Sequence, residues 1–295
     1  MNASGSAGIV LLGFGEAGQA FARGWSQDVR FKVVTYDIKL CDLAKRGQIT
    51  EACARIGIDF AERLSVALET SHHIFSLVTA DRAHEAASQA AEQIRPGTYF
   101  FDCNSCSPAT KKASEAKIVE AGGLYIDVAI MAPVALKLHR TPLLISGSRA
   151  EGACTWLETL DMRPSIVGSH VGQASAIKML RSVMIKGLEA LTAECMLAAR
   201  RAGVDEAVLA SLQASDPGWD WPGRSAYNLE RMMVHGERRG AEMDEVANTI
   251  VELGLPNRMA RATAVWQREL AALRLEGGAN SLASRADRIL QRLEP

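Results

Sequence analysis

Two hydrophobic patterns alternate along the first half of the chain. Short runs rich in β-branched and aromatic residues fall at 8–12, 31–36, 73–78, 98–102, 124–130, 142–146 and 165–167, and such runs between polar punctuation predict strands. Between several of them lie Ala-rich stretches at 16–26, 38–45, 82–94, 109–121 and 150–160, whose apolar spacing predicts amphipathic helices. This alternation implies a mostly parallel sheet covered on both faces. After about Val171 the strand pattern stops, and 172–293 reads as helix broken near 203–204, 216–223, 254–256 and 276–280. The expected fold is α/β, with a doubly wound domain over 1–170 followed by an all-α domain over 171–295.

The first helix of the second half is long. No proline interrupts 172–201, which implies roughly 45 Å of helix at 1.5 Å per residue. Ile177, Leu180, Met184, Leu188, Leu191 and Cys195 recur three and four apart and form an apolar stripe. A helix of this length leaves the first domain and becomes the central element of the second. The apolar faces of the helical half are expected to be buried across a two-fold axis, in a homodimer.

Composition narrows the function. The 295 residues are 48% apolar and 23% charged, with 33 basic and 34 acidic side chains and a net charge of −1. That balance supplies no global attraction to nucleic acid or to an anionic membrane. The longest apolar runs are too short to span a bilayer, and the first seven residues read as a polar lead-in without a secretory pattern. A soluble, cytoplasmic protein acting on a small molecule is expected. Of six cysteines only Cys103 and Cys106 have C-x-x-C spacing, and no second pair or histidine set completes a metal site. His72, His73, His84 and His170 read as structural.

The clearest chemical signal is Gly13-Phe14-Gly15-Glu16-Ala17-Gly18. This G-x-G-x-x-G directly follows a predicted strand and opens a predicted helix, the context a Rossmann-type dinucleotide site requires. Gly13 permits the tight turn, Gly15 lets the backbone approach a pyrophosphate, and Gly18 lets helix and strand pack closely. The free N–H groups at the helix start would hold the diphosphate. Nineteen residues after Gly18 a strand ends at Asp37, where a carboxylate can accept ribose hydroxyls. Asp37 favours NAD, and Lys39 two residues on leaves NADP open. The competing reading is a glycine-rich turn beside a capping Asp.

Two further segments carry candidate chemistry. Asp102-Cys103-Asn104-Ser105-Cys106-Ser107-Pro108 joins a strand to a helix at the carboxyl edge of the sheet, where open α/β sheets bind ligands. Asn104 and Ser105 offer donors and acceptors there, while Ser107-Pro108 reads as a helix cap. Lys178 sits in the first turns of the long helix, with Arg181 and Ser182 on the same face. An exposed lysine is the plain alternative.

These ordered features, with Asp127 through Pro133, resemble the β-hydroxyacid dehydrogenases, which include the 3-hydroxyisobutyrate and 6-phosphogluconate dehydrogenases. The stretch around His235, Arg238, Arg239, Glu242 and Met243 resembles the helical domain of a 6-phosphogluconate-dehydrogenase-like branch. The resemblance implies a dinucleotide fingerprint at Gly13, Gly15, Gly18 and Asp37, with Phe14, Glu16 and Ala17 inside it. It implies a cofactor-lining stretch at Val78 and Thr79, and nicotinamide and substrate contacts at Asn104 and Ser105. It implies Lys178 as general acid and base, with Ser182 assisting and Arg181, Arg239 and Met131 toward substrate.

Two departures from the family pattern matter. Arg181 and Ser182 stand where an Asn is usual. Met131-Ala132-Pro133 replaces a Ser-Gly-Gly turn, and proline removes a backbone donor. Met131, Trp219 and Trp221 would suit a larger or more apolar substrate, although packing also accounts for the tryptophans. Imine reduction, oxidative β-decarboxylation and dinucleotide binding without catalysis remain alternatives.

Overall fold

The computed structural model describes residues 7–26, 28 and 30–293; residues 1–6 of the expected polar lead-in lie outside them, and its last residue, Ala7, opens the first strand. The strands are β1 (Ala7–Leu12), β2 (Phe31–Tyr36), β3 (Asp59–Phe60), β4 (His73–Ser76), β5 (Tyr99–Asp102), β6 (Leu124–Ile130), β7 (Pro142–Ser146) and β8 (Arg163–Gly168). The helices of the first half are α1 (Glu16–Trp25), α2 (Leu43–Ile56), α3 (Leu64–Glu69), α4 (Ala83–Ala91), α5 (Pro108–Glu120) and α6 (Ala150–Thr159). The helices that follow are α7 (Gln173–Arg201), α8 (Asp205–Ser215), α9 (Trp221–Glu252), α10 (Arg258–Ala272) and α11 (Leu282–Arg292). The described residues contain no helix long and apolar enough to cross a membrane.

The eight strands form one sheet in the order β3-β2-β1-β4-β5-β6-β7-β8. All neighbouring pairs are parallel except β6 and β7. The segment between those two holds only a short 3-10 turn at Leu138–Arg140, too little chain for the helical crossover that a parallel pair needs. Along β1, Ile9 and Leu11 pack into one layer with Phe21 and Trp25. Val10 and Leu12 pack into the opposite layer with Ala87, Phe100 and Ile118. A strand buried on both faces therefore reads as an unbroken apolar run.

Three elements differ from expectation. The stretch 38–45 is a 3-10 turn (Ile38–Cys41) followed by α2, because the Asp42 carboxylate caps the α2 amide of Ala44 at 3.0 Å. Strand β3 and helix α3 were not expected; β3 has two exposed residues and carries no period to read. The chain divides into compact units at Lys178/Met179 rather than at 170/171. The first turn of α7 belongs to the sheet unit, since Asp127 and Ser146 hold its amides.

In the second unit α9 packs chiefly on α10. Gly236 allows the close approach: a Cβ there would lie 2.2 Å from the Gln267 carbonyl oxygen. Leu229, Met232, Leu270 and Ile289 form one cluster, and Met243, Val246, Ala260 and Ala264 another. The expected apolar stripe of α7 is not its buried side. Ile177, Leu180, Met184 and Leu191 are exposed, while Ser182, Lys186, Glu189, Ala193 and Leu197 are buried.

Candidate active site

The carboxyl ends of β1, β4 and β5 lie side by side and bring the predicted segments together. Gly13 follows β1 with φ +92°, and a Cβ there would stand 2.6 Å from the Leu77 carbonyl oxygen and 3.0 Å from Val78. The position is open only to glycine. A Cβ on Gly18 would stand 2.5 Å from the Gly13 oxygen, so α1 begins against the turn. Gly15 has nothing within 4 Å of its missing side chain. It is the N-cap of α1, and no side chain caps this helix start. Open space beside uncapped amides is the cradle a diphosphate needs.

Asp37 is 8% exposed and closes the turn. Its Oδ2 accepts the Phe14 amide at 2.7 Å and its Oδ1 the Lys39 amide at 2.9 Å. Each oxygen keeps one lone pair for a ribose hydroxyl. Phe14 contributes a buried ring and a committed amide. Val78 is half-buried beside Gly13, and Thr79 is exposed before a 3-10 turn at Ala80–Arg82.

Beyond β5, Asn104 is held from three directions. Its amide accepts nothing: Nδ2 donates to Ser76 Oγ at 2.9 Å and to Asp102 Oδ1 at 2.8 Å, and its backbone N–H donates to Asp102 Oδ1 at 3.0 Å. This leaves the buried Asn104 Oδ1 with no partner among the described residues. A buried acceptor without a donor is costly, and a nicotinamide carboxamide N–H would satisfy it. Lys178, half-buried, donates from Nζ to Ser105 Oγ at 2.7 Å. The start of its helix is fixed by Asp127 Oδ2, which accepts the Gly172 and Ser175 amides at 3.1 and 3.0 Å, and by Ser146 Oγ, which accepts the Ala174 amide at 3.0 Å. Ser107 caps α5 through the Thr110 amide at 3.2 Å. Cys103 and Cys106 are buried and form no disulfide among the described residues, and burial pushes the Cys103 thiol well up.

The remaining candidates have other partners or surroundings. Met131 is half-buried and its amide donates to the Pro142 carbonyl at 2.9 Å. Arg181 is exposed. Ser182 is buried in the second unit and accepts from Lys186 Nζ at 3.2 Å. Arg239, expected toward substrate, is buried with Nε on Glu189 Oε2 at 2.9 Å and Nη2 on Glu189 Oε1. Its donor fork is therefore turned into the helical unit, because a guanidinium out of water must meet a carboxylate. Trp219 and Trp221 stand 5.8 Å apart at a cavity of about 460 Å³ in that unit, with Arg224 over the Trp219 ring.

Lys111, Asp102, Tyr125 and Ser76 join the site without having been expected. Lys111 could have been found: with Ser114 and Ile118 it marks the buried side of α5 at helical spacing.

Residues 8–154 match the NAD binding domain of 6-phosphogluconate dehydrogenase, and residues 199–270 match a domain of unknown function, DUF1932. A conserved hypothetical protein from Sinorhizobium meliloti is 34% identical over 98% of both chains, with a TM-score of 0.73. The chain belongs to the 6-phosphogluconate-dehydrogenase-like branch of the β-hydroxyacid dehydrogenases. The conserved protein MTH1747, described as structurally similar to 3-hydroxyacid dehydrogenases, is 29% identical over 92% of this chain and all of its own, with a TM-score of 0.67. The Mycobacterium tuberculosis 3-hydroxyisobutyrate dehydrogenase shares the fold at 15% identity, over 98% of this chain and 99% of its own, with a TM-score of 0.72. This branch membership makes the protein a dinucleotide-dependent oxidoreductase whose sheet unit binds a nicotinamide cofactor.

Proposed function

We propose that the protein is a dehydrogenase that interconverts the CH–OH group of a hydroxyacid or alcohol with the corresponding carbonyl, with Lys178 as general acid and base. The observation that carries this reading is the 2.7 Å hydrogen bond from Lys178 Nζ to Ser105 Oγ, one residue from the unpartnered Asn104 acceptor. When bound, the nicotinamide supplies the hydride acceptor or donor. Asn104 Oδ1 would accept from its carboxamide. The Lys178 amine takes the hydroxyl proton as carbon–oxygen double-bond character develops, and its ammonium form returns that proton in reduction. Ser105 holds the amine and shares a proton with it.

Asp37 supports NAD over NADP, because its carboxylate would face an added 2′-phosphate. Met131 spends its amide on Pro142 and adds bulk where a small-acid pocket needs backbone donors. This favours a substrate larger or more apolar than the simplest 3-hydroxy acids. The exposed stripe Ile177, Leu180, Met184 and Leu191 supports a homodimer, and light scattering showing a stable monomer at micromolar concentration would overturn it.

A screen of hydroxyacids and of aryl and alkyl alcohols, read at the reduced-cofactor absorbance band, identifies the substrate. Lys178→Met is then expected to lower turnover by roughly 10²–10⁴-fold while leaving dinucleotide affinity nearly unchanged. Unchanged turnover would remove Lys178 from the mechanism.

A further inference from the structure

The mechanism above leaves one fully buried charge unused. Lys111 has no exposed surface, whereas its neighbour Lys112 on α5 is exposed. Lys111 Nζ donates to the Asp102 carbonyl oxygen at 2.6 Å and to Asp102 Oδ1 at 2.9 Å, and lies 3.5 Å from Asp127 Oδ1. Asp102 takes two of the three ammonium donors, and the Asp127 carboxylate adds an ion pair without a hydrogen bond. Burial opposes the charge, but the Asp102 and Asp127 carboxylates outweigh it and hold the pKa above the ordinary lysine value. Lys111 is a cation.

Each of its two carboxylates holds one half of the site. Asp102 Oδ1 accepts both the backbone and side-chain N–H groups of Asn104, and Asp102 Oδ2 accepts the Tyr125 hydroxyl at 2.5 Å. Through these bonds the Asn104 amide can point its oxygen only one way. Asp127 Oδ2 accepts the Gly172 and Ser175 amides and the Ser146 hydroxyl, and so fixes where the Lys178 helix begins. Its other oxygen, Oδ1, has no hydrogen bond among the described residues and lies 3.5 Å from the Lys111 ammonium. Without that cation, two carboxylates that are each at most 1% exposed would face one another. One would take up a proton or turn away, and the bonds it makes would change with it.

We infer that Lys111 is a positioning residue that joins the two halves. Through Asp102 it orients the Asn104 amide for the nicotinamide carboxamide, and through Asp127 it sets the start of the helix that carries Lys178. The inference rests on the dehydrogenase reading for what these two groups do, so its test is made in binding rather than in turnover.

NADH and ADP-ribose, which lacks the nicotinamide ring, are titrated calorimetrically into the full-length protein and its Asn104→Ala and Lys111→Met variants. The parent is expected to prefer NADH. Both variants should lose about tenfold of that preference, the worth of one buried hydrogen bond, while their ADP-ribose affinity holds. Lys111→Met should also speed deuterium exchange at the amides of 172–176 relative to the rest of the sheet unit. A residue that merely stabilised the fold would move the melting temperature and leave the NADH to ADP-ribose ratio alone. If Asn104→Ala keeps the preference, the nicotinamide placement under the dehydrogenase reading fails. If Asn104→Ala loses it and Lys111→Met keeps it, the role of Lys111 is overturned and the dehydrogenase reading stands. Should Lys111→Met not fold, Asp102→Asn, which keeps the shape and removes the charge, is expected to lose the preference. A retained preference in that variant overturns the inference equally.

Discussion

In the helical unit the buried carboxylate of Glu189 receives Arg239 through two nitrogens and Gln267 through Nε2 at 2.9 Å, and Lys186 pairs with Glu242 at 2.9 Å. In the sheet unit Lys111 ties Asp102 and Asp127 together, and the chain of bonds runs on to Asn104, whose buried Oδ1 has no hydrogen-bond partner among the described residues. Gln267 Oε1 is likewise buried without a partner among the described residues of the helical unit, but Asn104 follows β5 at the carboxyl edge of the sheet. The difference separates two uses of the same residue types. A network whose charges close on one another fixes packing, and one that reaches the carboxyl edge of a parallel sheet is laid out for a ligand.

The comparison breaks most visibly at Arg239. Arg239→Met would strand the Glu189 carboxylate in the helical unit, and leaving a buried charge unpaired costs about 3–5 kcal/mol. The expected result is a melting temperature lower by roughly ten degrees with dinucleotide affinity unchanged. A variant that keeps its stability and instead loses substrate binding would return Arg239 to the role first expected of it.

The glycines of the cradle sharpen the contrast from the other side. Gly15 has φ −76° and open space at its missing Cβ, so Gly15→Val should leave the melting temperature in place. It should weaken dinucleotide binding about tenfold or more, because the new side chain fills the pyrophosphate approach. Gly13→Ala meets both the +92° φ and the Leu77 oxygen, and is expected to lower stability and affinity together. Calorimetric melting with NADH titration separates the two cases.

The smallest effect lies at His73, packed face to face with Trp156 at 3.7 Å between ring centroids. Burial lowers its pKa to about 4, with the nearby His72 adding to the effect. The folded state thus resists a proton that the unfolded chain accepts near 6.5. Stability is therefore present above about pH 6.5 and declines as the pH falls from there toward 4. After allowance for the ring's partial exposure the loss is about 1 kcal/mol, or 2–4 °C. His73→Phe should flatten the melting temperature between pH 7 and pH 5, and an unaltered slope would assign the decline to other groups.

Strands β2, β6 and β7 begin and end where their apolar runs do, since a buried strand has few ways to hide its pattern. The glycine turn was equally legible, because a positive φ and a close backbone approach demand glycine wherever they occur. Strand β3 was not, being two residues that pair with β2 only once the sheet exists. Helix α7 shows the limit of periodicity. Its hydropathy selects a stripe that the single chain leaves exposed, while the buried face carries Lys186 and Glu189, which enter the core because Glu242 and Arg239 meet them there.

The amino-acid order alone therefore determined what short-range geometry controls: the alternation of strands and helices, the dinucleotide turn at 13–18, and the acid at the end of β2. Tertiary structure decided that Lys111 meets Asp102 and Asp127, and that Lys178 meets Ser105 across 73 residues of chain. The physical reason is one of range. Backbone angles and periods are set by neighbours a few residues away, whereas the partner that makes a buried charge tolerable comes from a distant strand or helix.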